Sequence, residues 1–145
     1  MEVSKLSSFT TNPRKGHLDA IYSIFAYIKK HLRSKLVFDP SYVKLDESSF
    51  TNEDWSDFYG DAKEQIPLIK PEPRGMSVIM SVFSDADHAG NLMTRRSHTG
   101  ILIFLNNSII DWYCKGQATV ESSTFGSETI ALRTAVDKIQ ALRYK

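Results

Sequence analysis

Three apolar stretches in close succession, broken by turn signals and followed by a helical repeat, limit what this chain can fold into more than any other feature. Met76-Ser77-Val78-Ile79-Met80-Ser81-Val82-Phe83 carries apolar residues on both faces of a two-residue period, which is the pattern of a strand inside a sheet. It gives way to Ser84-Asp85-Ala86-Asp87-His88-Ala89-Gly90 and then to a polar loop with Arg95-Arg96-Ser97. Thr99 to Leu105 and Ser108 to Cys114 read as two further strands, and Asn106-Asn107 between them suits a tight hairpin because Asn tolerates positive φ. The three are expected to form an antiparallel meander. Next, Glu121-Ser122-Ser123-Thr124 offers several helix caps, with Ser123 preferred. A long helix should then run to the end of the chain, with Leu132, Ala135, Ile139 and Leu142 as its apolar stripe and Glu128 one turn ahead.

The upstream half is less regular. Asn12-Pro13 predicts a helix entry, since Asn caps free N–H groups and Pro is tolerated at the first helical position. Leu18, Ile21, Ile24, Phe25, Ile28 and Leu32 form one helical stripe, read as core or packing surface. Lys29, Lys30, Arg33 and Lys35 gather at its far end, where the helix dipole favours cations. Leu36-Val37-Phe38 reads as a short strand stopped by Asp39-Pro40. From Ser41 to Gly75 acids, aromatics and prolines mix without a period, so this stretch is read as a connector, anchored on a neighbouring surface by Trp55, Phe58 and Tyr59.

Charge follows the same divisions. The net charge of +1 combines a basic stretch over residues 1–45, an acidic one over 46–75 whose plainest reading is a solvated surface, and a balanced one over 76–145. The organisation expected is 1–40, 41–75 and 76–145. No apolar run approaches the roughly 20 residues of a membrane span, so no membrane association is expected. The N-terminus lacks a basic region followed by an apolar stretch, so nothing suggests secretion. Cys114 stands alone, which excludes an internal disulfide and fits a reducing compartment; a buried thiol is its plainest reading.

Two carboxylates carry the chemistry. Asp85 is placed at the carboxyl end of the first strand, on the face of Ile79 and Phe83, where sheet proteins build ligand sites. Glu128 is placed on the sheet-facing side of its helix, where an unpaired carboxylate is costly, and no Arg or Lys lies within the adjacent turn. Two such acids fit a cradle for a divalent cation, and hard oxygen donors favour magnesium. Against this stand plainer readings: a loop Asp, and a surface Glu stabilised by the helix dipole. Asp87 is expected on the opposite strand face from Asp85 and is ranked as an orienting or structural acid.

The segments Phe83-Ser84-Asp85-Ala86-Asp87-His88-Ala89-Gly90, Arg95-Arg96-Ser97-His98-Thr99-Gly100, Trp112-Tyr113-Cys114-Lys115-Gly116-Gln117 and Thr119 through Glu128 resemble, in order and spacing, the ribonuclease H region of copia-type retrotransposon polyproteins. Residues 13–40 resemble the helix and strand that close the reverse transcriptase in such polyproteins. The resemblance implies an α/β, α+β-like fold: a partial ribonuclease H-like domain of three strands and a long helix, with an N-terminal helix-strand extension. It implies Asp85 and Glu128 as the first two metal-binding acids. It also implies two Mg2+ ions roughly 4 Å apart that activate water and stabilise the leaving oxygen. The partners implied are an RNA/DNA hybrid, with Arg95, Arg96 and Lys115 on its phosphates, and the remaining parts of the polyprotein. The location implied is intracellular, in a cytoplasmic virus-like particle or the nucleus.

The chain departs from that pattern. Gly116 stands where a second basic residue is usual after Lys115, and the two further acids of a complete site are expected beyond Lys145. The isolated chain is therefore expected to lack nuclease activity, whether it is an enzyme fragment, a non-catalytic remnant or a host-recruited nucleic-acid-binding module. His88 and His98 without further soft ligands do not suggest zinc.

Overall fold

A computed structural model of the chain describes residues 2–143 apart from 45, 47, 49, 50, 52, 64, 66, 71 and 73. Parts of the expected connector, Pro71 and Pro73 among them, and the last two positions of the expected terminal helix lie outside the described residues. Short helix α1 (Glu2–Ser7) precedes α2 (Lys15–Lys30) and the single turn α3 (Ser56–Tyr59). Strands β1 (Met80–Asp87), β2 (His98–Leu105) and β3 (Ser108–Gly116) form an antiparallel sheet in the order β1-β2-β3, and α4 (Thr124–Arg143) closes the described chain. The mixed class, the meander and the long helix are as the sequence predicts.

The core lies between one face of the sheet and α4. Ile101 and Ile103 of β2 meet Ala135, with Met80, Val82, Tyr113 and Leu142 packed around them. The fully buried line of α4 is Ser127, Ala131 and Ala135; of the predicted stripe, Ala135 and the partly buried Leu142 pack on the core, while Leu132 is 58% exposed and does not. Small side chains let the helix approach the pleated surface closely. Leu132, about 100° further round the helix, is left on the flank together with the exposed Val136.

β1 also differs from its prediction. It begins at Met80 and continues through Asp85 and Asp87, which pair with Gly100 and His98 of β2. Cross-strand pairing, rather than the apolar run, decides where the strand ends. β2 is the central strand, so β1 lies at an edge of the described sheet.

The Asn106-Asn107 hairpin forms as expected, with Leu105 opposite Ser108 and φ of 51° at Asn106. Asn106 does more than turn the chain. Its side-chain oxygen accepts from the Ile79 amide at 3.0 Å and its amide nitrogen donates to the Pro40 carbonyl at 2.9 Å. Ser108 Oγ donates to the Asp39 carbonyl at 2.9 Å, and Asn107 donates to Ser41 Oγ at 2.8 Å. The segment 39–41 is thereby pinned to the hairpin tip. This accounts for the missing strand: Leu36, Val37 and Phe38 have no strand partner and remain exposed.

α2 begins just after Pro13, with the Arg14 amide donating to His17 Nδ1 at 3.0 Å. It ends at Lys30, so Leu32 falls beyond it, and none of its residues is buried. The stripe read as packing surface is therefore uncovered by any described element. Among the described residues the ring contacts of Trp55, Phe58 and Tyr59 are with one another, at 5.7 and 6.4 Å from the Trp55 ring, and all three side chains are exposed rather than anchored on the sheet. α1, which the sequence did not announce, packs against β3.

Candidate functional site

The four sequence motifs meet at one end of the sheet, in a knot of buried polar groups. β1 runs out through Asp87 into a turn at His88-Ala89, with φ of 51° at Ala89. The Ala89 amide donates to Ser97 Oγ at 3.0 Å, and Ser97 is fully buried. The Ser97 carbonyl accepts from the Gln117 amide at 2.8 Å. Gln117 Nε2 then donates to Thr99 Oγ1 at 3.0 Å and to the Ser127 carbonyl at 2.9 Å. Ser127 Oγ donates to the Thr124 carbonyl at 2.8 Å and lies 3.3 Å from His88 Nδ1. With the hydroxyl proton so committed, the imidazole N–H is the donor to Ser127. Ser123 caps α4 as predicted, its Oγ accepting from the Gly126 amide at 3.1 Å.

His88, Ser97, Thr99, Gln117 and Ser127 are the residues that sequence reasoning missed. Short polar side chains next to strand ends look solvated in a sequence, and only the fold shows that each is spent on another motif. A buried polar group without a partner costs about 1–3 kcal/mol, so these bonds hold β1, β2, β3 and α4 in their relative places, with Gln117 Oε1 left buried without a hydrogen-bond partner among the described residues.

Asp85 and Asp87 both face away from α4. In a strand alternate residues share a face, and β1 persists through both, so the expected opposition of Asp87 to Asp85 does not occur. Asp85 is exposed and lines a groove of about 350 Å³ with Phe83, Gly100, Leu102, Trp112 and Cys114. Cys114 is half-buried there rather than buried. Asp87 is held by Lys5 of α1, Nζ to Oδ2 being 2.7 Å. The hydrogen bond to Asp87 holds the Lys5 ammonium above its ordinary range. Gly90 makes room for this carboxylate, since a Cβ there would lie 2.1 Å from Asp87 Oδ2.

Glu128 sits half-buried on α4, next to Ser127. The structure thus brings Asp85 and Asp87 together on the face away from α4 and places Glu128 on the helix that covers the other. Among the described residues there is no group of three or more His, Cys, Asp or Glu side chains that could hold a metal ion. Arg95 and Arg96 are exposed on the β1–β2 loop, with φ of 57° at Arg95, and Lys115 is exposed near the end of β3.

His98, opposite Asp87 in the β1–β2 register, is the titratable group that the fold shifts towards neutrality. Burial lowers its pKa from the ordinary 6.5, and the Lys5 charge adds to the effect. The unfolded chain therefore binds this proton at a higher pH than the folded one, so stability falls as pH drops below about 6.5 towards the folded value. Denaturant midpoints measured at pH 7 and at about pH 5.5 are expected to fall on acidification. In His98→Gln the fall should be smaller.

No protein-family model matches the chain, and no solved structure matches it. Two partial similarities were found. One is to a secreted RxLR effector protein of Plasmopara viticola, 41% identical over 56 residues, 39% of this chain and 39% of that protein. The other is to an uncharacterized mitochondrial protein of Arabidopsis thaliana, 45% identical over 53 residues, 37% of this chain and 22% of that protein. The aligned segments thus span well under half of either relative. Among the described residues no helix is long and apolar enough to cross a membrane.

Proposed function

We propose that the chain is a fragment of a copia-type retrotransposon polyprotein, comprising the end of its reverse transcriptase and the first half of a ribonuclease H-like domain. The observation that carries this reading is the knot itself. Four motifs that resemble the nuclease region in linear order are joined in space by Ala89–Ser97, Gln117–Ser97, Gln117–Thr99, Gln117–Ser127 and His88–Ser127. Unrelated segments have no reason to satisfy one another in this way. Stretches of 56 and 53 residues that recur at 41% and 45% identity as a minor part of proteins from Plasmopara viticola and Arabidopsis thaliana are also the distribution expected of mobile-element coding sequence.

In the intact polyprotein Asp85 and Glu128 would contribute to a magnesium centre that hydrolyses the RNA strand of an RNA/DNA hybrid. Arg95, Arg96 and Lys115 would hold its phosphates, inside the cell. Bound magnesium would supply an activated water and stabilise the leaving oxygen. This chain's own part is to present Asp85 on a rigid strand and Glu128 on a capped helix. By itself it is proposed to be a non-catalytic remnant, because it supplies only two of the four acids that the resemblance implies for a complete site. Sequencing the genomic DNA on both sides of the coding region tests the ancestry. In-frame sequence encoding a strand followed by Asp downstream, with transcriptase sequence upstream, is expected; unrelated host exons would contradict it.

A further inference from the structure

We infer that the sheet face turned away from α4 is a docking surface for a second copy of this chain, which lays the apolar stripe of its α2 there while its own sheet face receives α2 of the first. The inference is independent of the nuclease-ancestry reading. Phe83 of β1, Leu102 of β2 and Trp112 of β3 stand opposite one another in the strand register, so they share one face. Val82 and Ile103 alternate with them and pack in the core under α4, which puts this apolar row on the other side. Phe83 and Trp112 are 63% and 65% exposed. In the next rung Asp85, Gly100 and Cys114 stand in line, and because Gly100 has no side chain the row falls away into the groove of about 350 Å³.

The chain itself carries a surface that matches. α2 has Leu18, Ile21, Phe25 and Ile28 on one stripe, all of them exposed. A helix of its 16 residues is roughly 24 Å long, close to the roughly 26 Å of a strand of 8 residues such as β1 or β2. The charges match as well. Asp85, which lines the groove, has no hydrogen-bond or ion-pair partner among the described residues. Lys29 is exposed one turn beyond Phe25 on the same side of α2, so a helix that sets Phe25 into the groove carries a cation towards that carboxylate.

Geometry favours a second copy over the chain's own helix. α1 packs against β3, and Phe9 just after it stacks on His17 at 4.1 Å, so α2 starts beside the 90–93 loop, beyond the end of β1. From there its stripe stays exposed instead of lying on its own sheet. Exchange of helices between two copies covers both sheet faces and both stripes, so assembly closes at the dimer.

Sedimentation velocity of the whole chain up to about 100 μM tests this with wild type, Phe25→Glu on the stripe, Trp112→Glu on the sheet and Ser23→Glu on the opposite side of α2. Wild type and Ser23→Glu are expected to pass from monomer to dimer as concentration rises. Phe25→Glu and Trp112→Glu should each weaken the dimer at least about tenfold. Far-UV circular dichroism checks folding, and Phe25→Gln or Trp112→Gln takes the place of a glutamate variant that is unfolded. A wild type that stays monomeric overturns the inference, and is the result an α2 docked on its own sheet would give. Dimerisation undiminished in Phe25→Glu, as in a sheet-to-sheet pair, or in Trp112→Glu, as in a helix-to-helix pair, overturns it too. So does a loss in Ser23→Glu equal to that in Phe25→Glu.

Discussion

Ala131→Leu is expected to destabilise the fold by about 3 kcal/mol, whereas the neighbouring Leu132→Ala should cost less than about 1 kcal/mol, both read from urea melts. Ala131 has no exposed surface and sits in the line Ser127, Ala131, Ala135 that α4 lays on the sheet. Three added carbons at a position with no exposed surface must push α4 off the sheet, which opens the core of Ile101, Ile103 and Ala135. Leu132 is 58% exposed, so truncating it removes little buried surface. If Leu132→Ala proved the worse of the two, the placement of α4 would be wrong by about 100° of rotation.

Ile103→Ala is expected to lower stability by about 3 kcal/mol, through lost transfer energy and an unfilled cavity. Ile103 is 0% exposed at the centre of β2, between the β1 and β3 pairings and beneath Ala135. So small a core has few neighbours able to relax into the space. Thermal melts should show the variant partly unfolded where the wild type is folded; an unchanged midpoint would mean that α4 does not cover this face.

Much of this architecture was readable because it depends on local chemistry. The Asn106 turn needs a residue that tolerates positive φ, Ser123 has the oxygen that α4 requires at its start, and the strands announce themselves by period. What was not readable depends on partners. The helical period of α4 drew attention to Leu132, but a sheet approached this closely selects the alanines. β1 runs on through Asp85 and Asp87 only because Gly100 and His98 are there to pair with. Leu36-Val37-Phe38 has strand propensity and no neighbour to use it.

The acids show both outcomes at once. Asp85 and Glu128 were picked out by residue type and spacing, and the fold does place one near the end of β1 and the other near the start of α4. In sequence, a counter-charge is legible only within the turn next to Glu128, which holds no Arg or Lys. Lys5 came instead from an unannounced helix at the other end of the chain, and it chose Asp87. Long-range ion pairs leave no local trace in sequence, and neither do the hydrogen bonds that join Ser97, Gln117 and Ser127.

The proposed nuclease ancestry carries one direct expectation for the chain by itself: it does not cut an RNA/DNA hybrid. Incubating the purified chain with an end-labelled RNA/DNA hybrid and Mg2+, beside an Asp85→Asn control, tests it most directly. Both proteins should leave the hybrid uncut to the same extent. Magnesium-dependent cleavage by the wild type that Asp85→Asn abolishes would contradict the account.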